Sequence, residues 1–274
     1  MLLVNRINKC FENLNQKKKK ALISYIVLGD PAKDVTLPLM HALAESGSDI
    51  IELGIPFSDP TAEGPVIQRA HERALKNGSS LDEALILVKN FRAVNDSTPV
   101  LLMGYTNPIE RMGYEKFLER AVVSGIDGVL TVDLPPEEAE NFNKRLKASN
   151  LENIFLIAPT SSQARQEKVT SMAGGFIYYV SLNGVTGAAN LDITSVHERV
   201  DNIKKLTSLP VCVGFGIKDG KTAKAVARVS DGVVVGSAIV NKIAELEKLK
   251  ETDPAVYAKA VSIIIADIRS ALDE

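Results

Sequence analysis

Three acidic residues stand close together in the chain, around the end of a short apolar run. Glu52 is the only charged residue between Ile50 and Ile55, and Asp59 and Glu63 follow in a segment rich in proline and glycine. The isoleucines on both sides of Glu52 favour a strand buried on both faces, where an unpaired carboxylate costs on the order of several kcal/mol. Such an acid suits proton transfer. The alternative, which periodicity alone leaves open, is an edge strand with Glu52 pointing to water.

Glycine-rich segments follow three of the later apolar runs, and they could bind an anion. Gly184-Val-Thr-Gly187, Gly214-Phe-Gly216 and Gly236-Ser237 each come at the end of such a run, and the last also starts a helical pattern. Glycine lets backbone amides approach an anion, and a helix N-terminus offers free N–H groups. Tight turns are the alternative, but three such segments in succession favour a phosphate. The sequence has no Gly-x-x-x-x-Gly-Lys-Ser/Thr element, which argues against a nucleoside triphosphate.

Four aromatic residues fall in or next to the apolar runs: Tyr25, Tyr105, Tyr178 and Phe215. A tyrosine combines an apolar body with a polar tip, which suits a planar aromatic substrate. Taken singly, each of them would more often be a core-packing residue. Together with the glycine segments and the buried acid, they predict a phosphorylated substrate with an aromatic part that is cleaved by proton transfer.

The elements that must position these residues alternate regularly along the chain. Most of the apolar runs are continuous rather than alternating, which indicates a parallel sheet covered by helices. Eight such units in 274 residues predict one (β/α)₈ barrel domain, residues 1–274, with the site at the C-terminal ends of the strands. The predicted strands are 21–28, 49–55, 99–104, 128–132, 154–158, 176–180, 211–214 and 232–235.

Helices are predicted between the strands, with one extra helix before the first strand and one short phosphate-binding helix after the eighth. Asp34 is expected to cap the second helix, and Ser80 with Glu83 fits a capping box. The predicted helices are 3–15, 34–46, 66–76, 80–94, 114–124, 136–148, 163–172, 195–206, 221–228, 238–249 and 256–272.

Composition and charge exclude several classes of protein. Hydrophobic residues make up 45% of the chain and charged residues 24%, as in ordinary globular proteins. A net charge of −2 gives no general attraction to nucleic acid or to an anionic membrane, and the basic run 17–20 is expected to be a solvated linker. The N-terminal apolar run is too short for a signal peptide, so a cytoplasmic location is expected.

The cysteines and histidines give no metal or disulfide pattern. Cys10 and Cys212 lie far apart, which fits a reducing cytosol. His41, His71 and His197 are scattered over helical patterns, so each is expected to be a surface or helix-packing residue. The sequence therefore predicts no metal site in this chain.

Several of these motifs together resemble the tryptophan synthase alpha subunit family. The resemblance rests on Glu-Leu-Gly-Ile-Pro-Phe-Ser-Asp-Pro, which starts at Glu52, and on the following Gly-Pro-x-Ile-Gln. Leu28-Gly-Asp-Pro31, Asn183-Gly-Val-Thr-Gly187, Gly214-Phe-Gly-Ile217 and Gly236-Ser-Ala-Ile-Val240 stand in the family's order at about its spacing. The resemblance thus covers nearly the whole chain.

The resemblance implies an activity and residue roles. Members of this family cleave indole-3-glycerol phosphate to indole and glyceraldehyde 3-phosphate in a retro-aldol step. By this resemblance Glu52 is the general acid/base, Glu63 the second catalytic acid and Tyr178 the tyrosine beside the first acid. The implied substrate-binding residues are Tyr25, Tyr105 and Phe215 in the pocket, Thr186 in a closing loop, and Gly187, Gly216, Gly236 and Ser237 around the phosphate.

The resemblance also implies a partner. Family members pass indole to a beta subunit that carries pyridoxal phosphate, in an alpha2beta2 heterotetramer, and need no cofactor of their own. The residues implied to face that subunit are Pro56, Phe57, Asp59, Pro60 and Asn107. Phe57 is expected to be exposed on its loop, and the alternative is that it packs inward.

Two departures from the family pattern keep other functions open. Glu63 stands where the family has aspartate, and Leu182 stands where many members have arginine. The added methylene at Glu63 could misplace the acid, which can cost on the order of 10²-fold in rate for about 1 Å. The alternatives are a weakly active chain that serves mainly as an allosteric activator of the beta subunit, and a stand-alone lyase.

Overall fold

The computed structural model describes residues 5–181, 193–214 and 216–274. Within these residues nine short strands form one parallel sheet, and all of them are largely buried. The strands are β1 (Ala21–Val27), β2 (Ile50–Gly54), β3 (Val100–Gly104), β4 (Gly128–Thr131), β5 (Glu152–Asn153), β6 (Phe155–Ile157), β7 (Ile177–Val180), β8 (Val211–Gly214) and β9 (Gly232–Val235).

The sheet closes on itself as a barrel with eight strand positions. Its strand order is β5-β4-β3-β2-β1-β9-β8-β7-β6, and β5 and β6 are separated in the chain only by Ile154. These two short strands are therefore successive halves of the fifth position, one paired with β4 and the other with β7. The predicted (β/α)₈ architecture is confirmed; the predicted fifth strand, 154–158, corresponds to β6, and β5 begins before its predicted range.

Helices cover the barrel, most of them on its outer side. In the described part of the chain they are α1 (Arg6–Gln16), α2 (Lys33–Glu45), α3 (Pro65–Lys76), α4 (Leu81–Arg92), α5 (Thr106–Met112), α6 (Tyr114–Ser124), α7 (Glu140–Ala148), α8 (Gln163–Met172), α9 (Ile193–Lys204), α10 (Gly220–Ala227), α11 (Ser237–Lys248) and α12 (Pro254–Asp273). The predicted phosphate helix is α11, which has 12 residues, while α12 packs against α2 and α10 and completes the outer ring. None of these described helices combines the length and the apolar character that crossing a membrane requires.

Two apolar layers hold the barrel together. One lies between the strands and the outer helices, and the other fills the barrel interior at its N-terminal end. We call this inner layer the barrel floor; it consists of Ala21, Ile23, Ile50, Leu101, Leu130, Ile154, Phe176, Cys212 and Val234, closed from below by Ile7, Phe11 and Leu14 of α1. The extra N-terminal helix thus plugs the end of the barrel opposite the predicted site.

Three local expectations are wrong at helix starts. Ala32 occupies the N-cap of α2, so Asp34 lies in the first turn and does not cap it. Ser80 stands at the N-cap of α4 but forms no capping box, because Glu83 instead accepts a 2.5 Å hydrogen bond from the Lys33 ammonium. The helix predicted from residue 136 begins only at Glu140, since a turn over residues 135–139 precedes it. The sequence analysis also missed α5.

Candidate active site

Glu52 lies inside the barrel, one layer above the floor. Side chains of a strand alternate between its two faces, and because Ile51 and Leu53 pack outward against helices, Glu52 shares the inward face of Ile50. Its side chain is fully buried, and within the described part of the chain neither carboxylate oxygen has a hydrogen-bond partner. Burial, assisted by the nearby charge of Glu63, raises the pKa of Glu52 to about 8. The edge-strand alternative is therefore wrong.

Glu63 is brought to the same region by the segment between β2 and α3, residues 56–64, which we call the acid loop. The Ala62 amide next to it donates a 3.1 Å hydrogen bond to the Tyr105 hydroxyl, and Gln68 Nε2 donates a 2.9 Å bond to the Glu63 carbonyl. The Glu63 side chain is half-buried, and burial raises its pKa to about 7. Two carboxyl groups that hold their protons near neutral pH are thus close enough to interact.

Two tyrosines reach the mouth of the barrel by leaning over glycines. Tyr25 of β1 is in register with Glu52, and its hydroxyl lies against Gly54, where an added Cβ would be 2.5 Å away. Tyr178 of β7 lies over Gly214 in the same way, and its hydroxyl would also meet an added Cβ there. After burial, the charges of the two acids are the largest causes that raise the pKa of both phenols. The tyrosines predicted from the sequence therefore stand around the acid pair.

Tyr105 and Phe57 form a stacked pair at the edge of this space. Their ring centroids are 4.8 Å apart at an interplanar angle of 23°. Phe57 is half-buried, and the expectation of an exposed aromatic on this loop is wrong: its ring has an inward-facing partner in Tyr105, as the alternative held. The pair gives the site an apolar wall beside the acid loop.

The predicted phosphate residues that the structure describes lie at the ends of neighbouring strands. Gly216 follows β8 with φ +73°, and Gly236 occupies the N-cap of α11 directly after β9. Ser237 is the first residue of α11 and is exposed, and the N–H groups of the first turn of a helix have no partner within the helix. Thr186, Gly187 and Phe215 lie outside the described residues.

His71 packs on the buried face of α3, which confirms the helix-packing expectation, but its position beside the site was not predicted from the sequence. It is not a surface residue: it is buried at 2% exposure, and its ring contacts both the acid loop and Tyr25. The sequence already indicated that His71 is buried, because Ile67, Ala70 and Ala74 lie on the same face of the helix and form the buried stripe of α3. No cluster of three or more potential metal ligands occurs among the described residues.

The residues predicted to face a partner differ in how exposed they are. Asp59 and Asn107 are exposed and Pro60 is half-buried, whereas Pro56 is buried and cannot present its ring to another chain without movement. Asp59 also accepts a hydrogen bond of 2.5 Å from the Ser58 hydroxyl. Asp59 and Asn107 are therefore the best placed of these five residues to contact a partner.

Comparisons with known proteins agree with this architecture. The family model described as tryptophan synthase alpha chain matches residues 11–266. A tryptophan synthase alpha chain from Thiobacillus denitrificans is 54% identical over 271 residues, which cover 98% of this chain and 97% of that relative. A crystal structure of tryptophan synthase subunit alpha from Legionella pneumophila superposes with a TM-score of 0.91 at 44% identity and covers 99% of both chains.

A more distant structure extends the comparison to an assembled enzyme. A chain in the tryptophan synthase complex from Pyrococcus furiosus superposes with a TM-score of 0.81 at 36% identity, covering 92% of this chain and 99% of that one. The barrel, the acid inside it with a second acid on the following loop, and the full-length matches all agree. On these grounds the chain belongs to the tryptophan synthase alpha chain family.

Proposed function

We propose that this chain catalyses the retro-aldol cleavage of indole-3-glycerol phosphate to indole and glyceraldehyde 3-phosphate. The observation that carries the proposal is Glu52, a fully buried acid without a hydrogen-bond partner among the described residues, beside a second acid with a raised pKa. A carboxyl group in this state is neutral at pH 7 and can give up a proton without first breaking a hydrogen bond. Family membership supports the same reaction.

The different environments of the two acids suggest a division of roles. Glu63, with a pKa of about 7, ionises before Glu52, with a pKa of about 8. Neutral Glu52 gives its proton to C3 of the indole ring and then takes the hydroxyl proton of the adjacent glycerol carbon as the carbon–carbon bond breaks. Its protonation state is thereby restored. Ionised Glu63 accepts a hydrogen bond from the indole N–H and stabilises the positive charge that develops on the ring.

The remaining site residues bind the two ends of the substrate. Tyr25, Tyr105 and Tyr178 supply apolar ring surface around the acids, which suits the indole. The N-terminus of α11 supplies backbone N–H groups and a favourable dipole for the phosphate, after the general rule for barrels of this type. The direct test is the release of indole from indole-3-glycerol phosphate by the purified chain; no release in the presence of a beta subunit would refute the proposal.

Gly236→Val is expected to weaken binding of glyceraldehyde 3-phosphate by at least about tenfold. The backbone of Gly236 leads into the first turn of α11, so a branched side chain there hinders the approach of the phosphate. Gly236→Ala is the matched smaller change, because its methyl group would meet the Tyr25 ring at 3.4 Å, an ordinary van der Waals distance. Titration calorimetry should show a graded loss, valine greater than alanine; unchanged affinity in both variants would place the phosphate elsewhere.

We also propose that the chain works with a tryptophan synthase beta subunit, which receives the indole and carries pyridoxal phosphate. Membership of the family and the similarity to a chain of an assembled tryptophan synthase support this partner. The acid loop supports a coupling between docking and chemistry, since the exposed Asp59 and the acid Glu63 are only four residues apart on it. The presence of both acids supports a catalytic role over a purely allosteric one.

Asp59→Ala is expected to reduce the activation of indole release by the beta subunit several-fold while changing the basal rate of the isolated chain by less than about twofold. The physical reason is that Asp59 is exposed at the loop tip, away from the buried acids, so its loss affects docking rather than proton transfer. Rates of indole release with increasing beta subunit give both quantities. Activation equal to that of the unmodified chain would count against this docking surface.

A further inference from the structure

His71 stands on a rigid part of the structure. It lies on the buried face of α3, and two residues further on Arg73 forms two hydrogen bonds of 2.6 Å and 2.9 Å to the fully buried carboxylate of Asp30. This bidentate pair fixes α3 to the loop that follows β1. The backbone position of His71 is therefore fixed by the attachment of α3, and both nitrogens of its ring contact groups of the site.

The contact with the acid loop determines the protonation state of the ring. The backbone N–H of Phe57 lies 3.1 Å from His71 Nδ1. A backbone N–H can only donate, so Nδ1 must be the acceptor and cannot carry a proton. Burial acts in the same direction and lowers the pKa of His71 to about 4. The ring is consequently neutral, with its proton on Nε2.

The second nitrogen is turned toward a phenol of the site. His71 Nε2 lies 3.3 Å from the Tyr25 hydroxyl, and since Nε2 carries the proton, the hydroxyl oxygen is the acceptor. The hydroxyl proton of Tyr25 is then free to point away from His71. One imidazole thus connects the first residues of the acid loop to a tyrosine that is in register with Glu52.

The acid loop is held on both sides of its exposed tip. Phe57 is bound through His71 before the tip, and Ala62 is bound through the Tyr105 hydroxyl after it, next to Glu63. The tip itself, residues 58–61, is largely exposed. The Phe57 ring stacks on Tyr105, so the two attachment points also contact each other. Loss of the attachment at Phe57 would leave Glu63 held only from its own side of the tip, by the Ala62–Tyr105 bond and by the bond from Gln68 to the Glu63 carbonyl.

We propose that His71 is a positioning residue: its Nδ1 holds the start of the acid loop and thereby sets where the Glu63 carboxylate stands relative to Glu52. This inference rests on the proposed cleavage reaction, in which both acids act on one ring. His71 does not touch the substrate in this role. It acts through the backbone of Phe57, and the bond from Nε2 to Tyr25 keeps the imidazole in the required orientation.

Three substitutions separate the two hydrogen bonds of the ring. His71→Leu removes both, His71→Asn keeps an acceptor near the position of Nδ1, and His71→Gln keeps a donor near the position of Nε2. We expect kcat for indole release, measured with saturating beta subunit, to fall about 10²-fold in His71→Leu, as for a catalytic group displaced by about 1 Å. KM should change less than about threefold. His71→Asn should recover most of the loss and His71→Gln little of it.

A double-mutant cycle tests whether the effect passes through Glu63. In a Glu63→Gln background, where the carboxylate is already lost, His71→Leu should lower kcat by less than about threefold. Unchanged kcat in the single variant His71→Leu, recovery by Gln equal to that by Asn, or full additivity in the cycle would each overturn the proposal. His41→Leu is the control for loss of an imidazole. His41 lies on α2, away from the acids, and is half-buried against Phe91 of α4.

The tautomer can be examined in the unmodified protein, which keeps the proposal testable even if a variant folds poorly. Long-range ¹H–¹⁵N correlation spectra distinguish a ring protonated at Nε2 from one protonated at Nδ1 or at both. We expect the Nε2–H form of His71 at neutral pH; either other form would overturn the proposal. Failure of the cleavage reaction itself is recognised separately, because the unmodified chain would then release no indole while the His71 spectrum remained as expected.

Discussion

Replacing Glu52 by glutamine is expected to lower kcat for indole release by on the order of 10⁴-fold. Glutamine keeps the size and shape of the side chain but can neither give a proton to the indole ring nor take one from the glycerol hydroxyl. The affinity for glyceraldehyde 3-phosphate should change by less than about twofold, since the residues proposed to bind the phosphate follow β8 and β9 and do not lie on β2. Timed assays of indole release measure kcat, and calorimetric titration with glyceraldehyde 3-phosphate measures the affinity.

The same substitution is expected to stabilise the fold. The pKa of Glu52 is raised from an ordinary value of 4.5 to about 8, so the folded chain keeps a proton that the unfolded chain loses. The free energy of unfolding of the unmodified chain therefore decreases as pH rises from 4.5 to about 8, by on the order of 3 kcal/mol at pH 7. Glutamine does not ionise, so the free energy of unfolding of Glu52→Gln does not decrease in this way as the pH rises.

Chemical unfolding at two pH values provides the internal control for the stability effect. The two proteins should unfold with similar free energies near pH 4.5, and the variant should be the more stable one at pH 8. A variant that retains most of the wild-type kcat would refute the catalytic role of Glu52. A stability difference that does not grow with pH would refute the buried, protonated state of this acid. The carboxyl group that the proposed reaction requires thus lowers the stability of the fold at neutral pH.

Replacing Glu63 by glutamine is expected to lower kcat by about 10²- to 10³-fold. The amide keeps a hydrogen-bond acceptor for the indole N–H but removes the negative charge that opposes the positive charge on the ring. The pKa of Glu52 should also fall toward its ordinary value in this variant, because the charge of Glu63 is one of the causes that raise it. The alkaline limb of the pH–rate profile, along which neutral Glu52 loses its proton, reports that shift.

Glu63→Asp is the matched control, because it keeps the charge and shortens the reach by one methylene. We expect it to lose about tenfold or less in kcat, so that the order of activity is glutamate, aspartate, glutamine. The two hydrogen bonds that hold the neighbouring backbone, from Ala62 to Tyr105 and from Gln68 to Glu63, remain possible in both variants. Equal activity of glutamine and glutamate would show that the charge at this position has no role in the reaction.

The sequence alone determined the type and order of the eight strand positions and of the helices between them, apart from α5. Strands β8 and β9 and helix α8 have the predicted limits, and the eight-fold alternation follows from apolar runs and turn residues that are read within a few positions of one another. A parallel strand buried on both faces is apolar throughout, so its run is visible without knowledge of its neighbours. The positions of the glycine segments at the ends of later strands followed from the same local patterns.

Local signals failed where a distant group competed for a side chain. Ser80 and Glu83 have the spacing of a capping box, yet Glu83 pairs with Lys33, which lies fifty residues away in the chain. Phe57 follows a proline in a loop that reads as exposed, and it packs on Tyr105 because β2 and β3 are neighbours in the barrel. Neither contact can be inferred from spacing within one segment.

The tertiary structure decided which side chains meet at the site. A continuous apolar run does not reveal which of its residues point inward, and only the register of β1 with β2 places Glu52 beside Tyr25 inside the barrel. His71 likewise reads as one more residue of a helix until α3 is packed against β1. The alternation of elements depends on interactions along the chain, whereas the chemistry depends on strand register and helix packing, which bring together residues that are far apart in sequence.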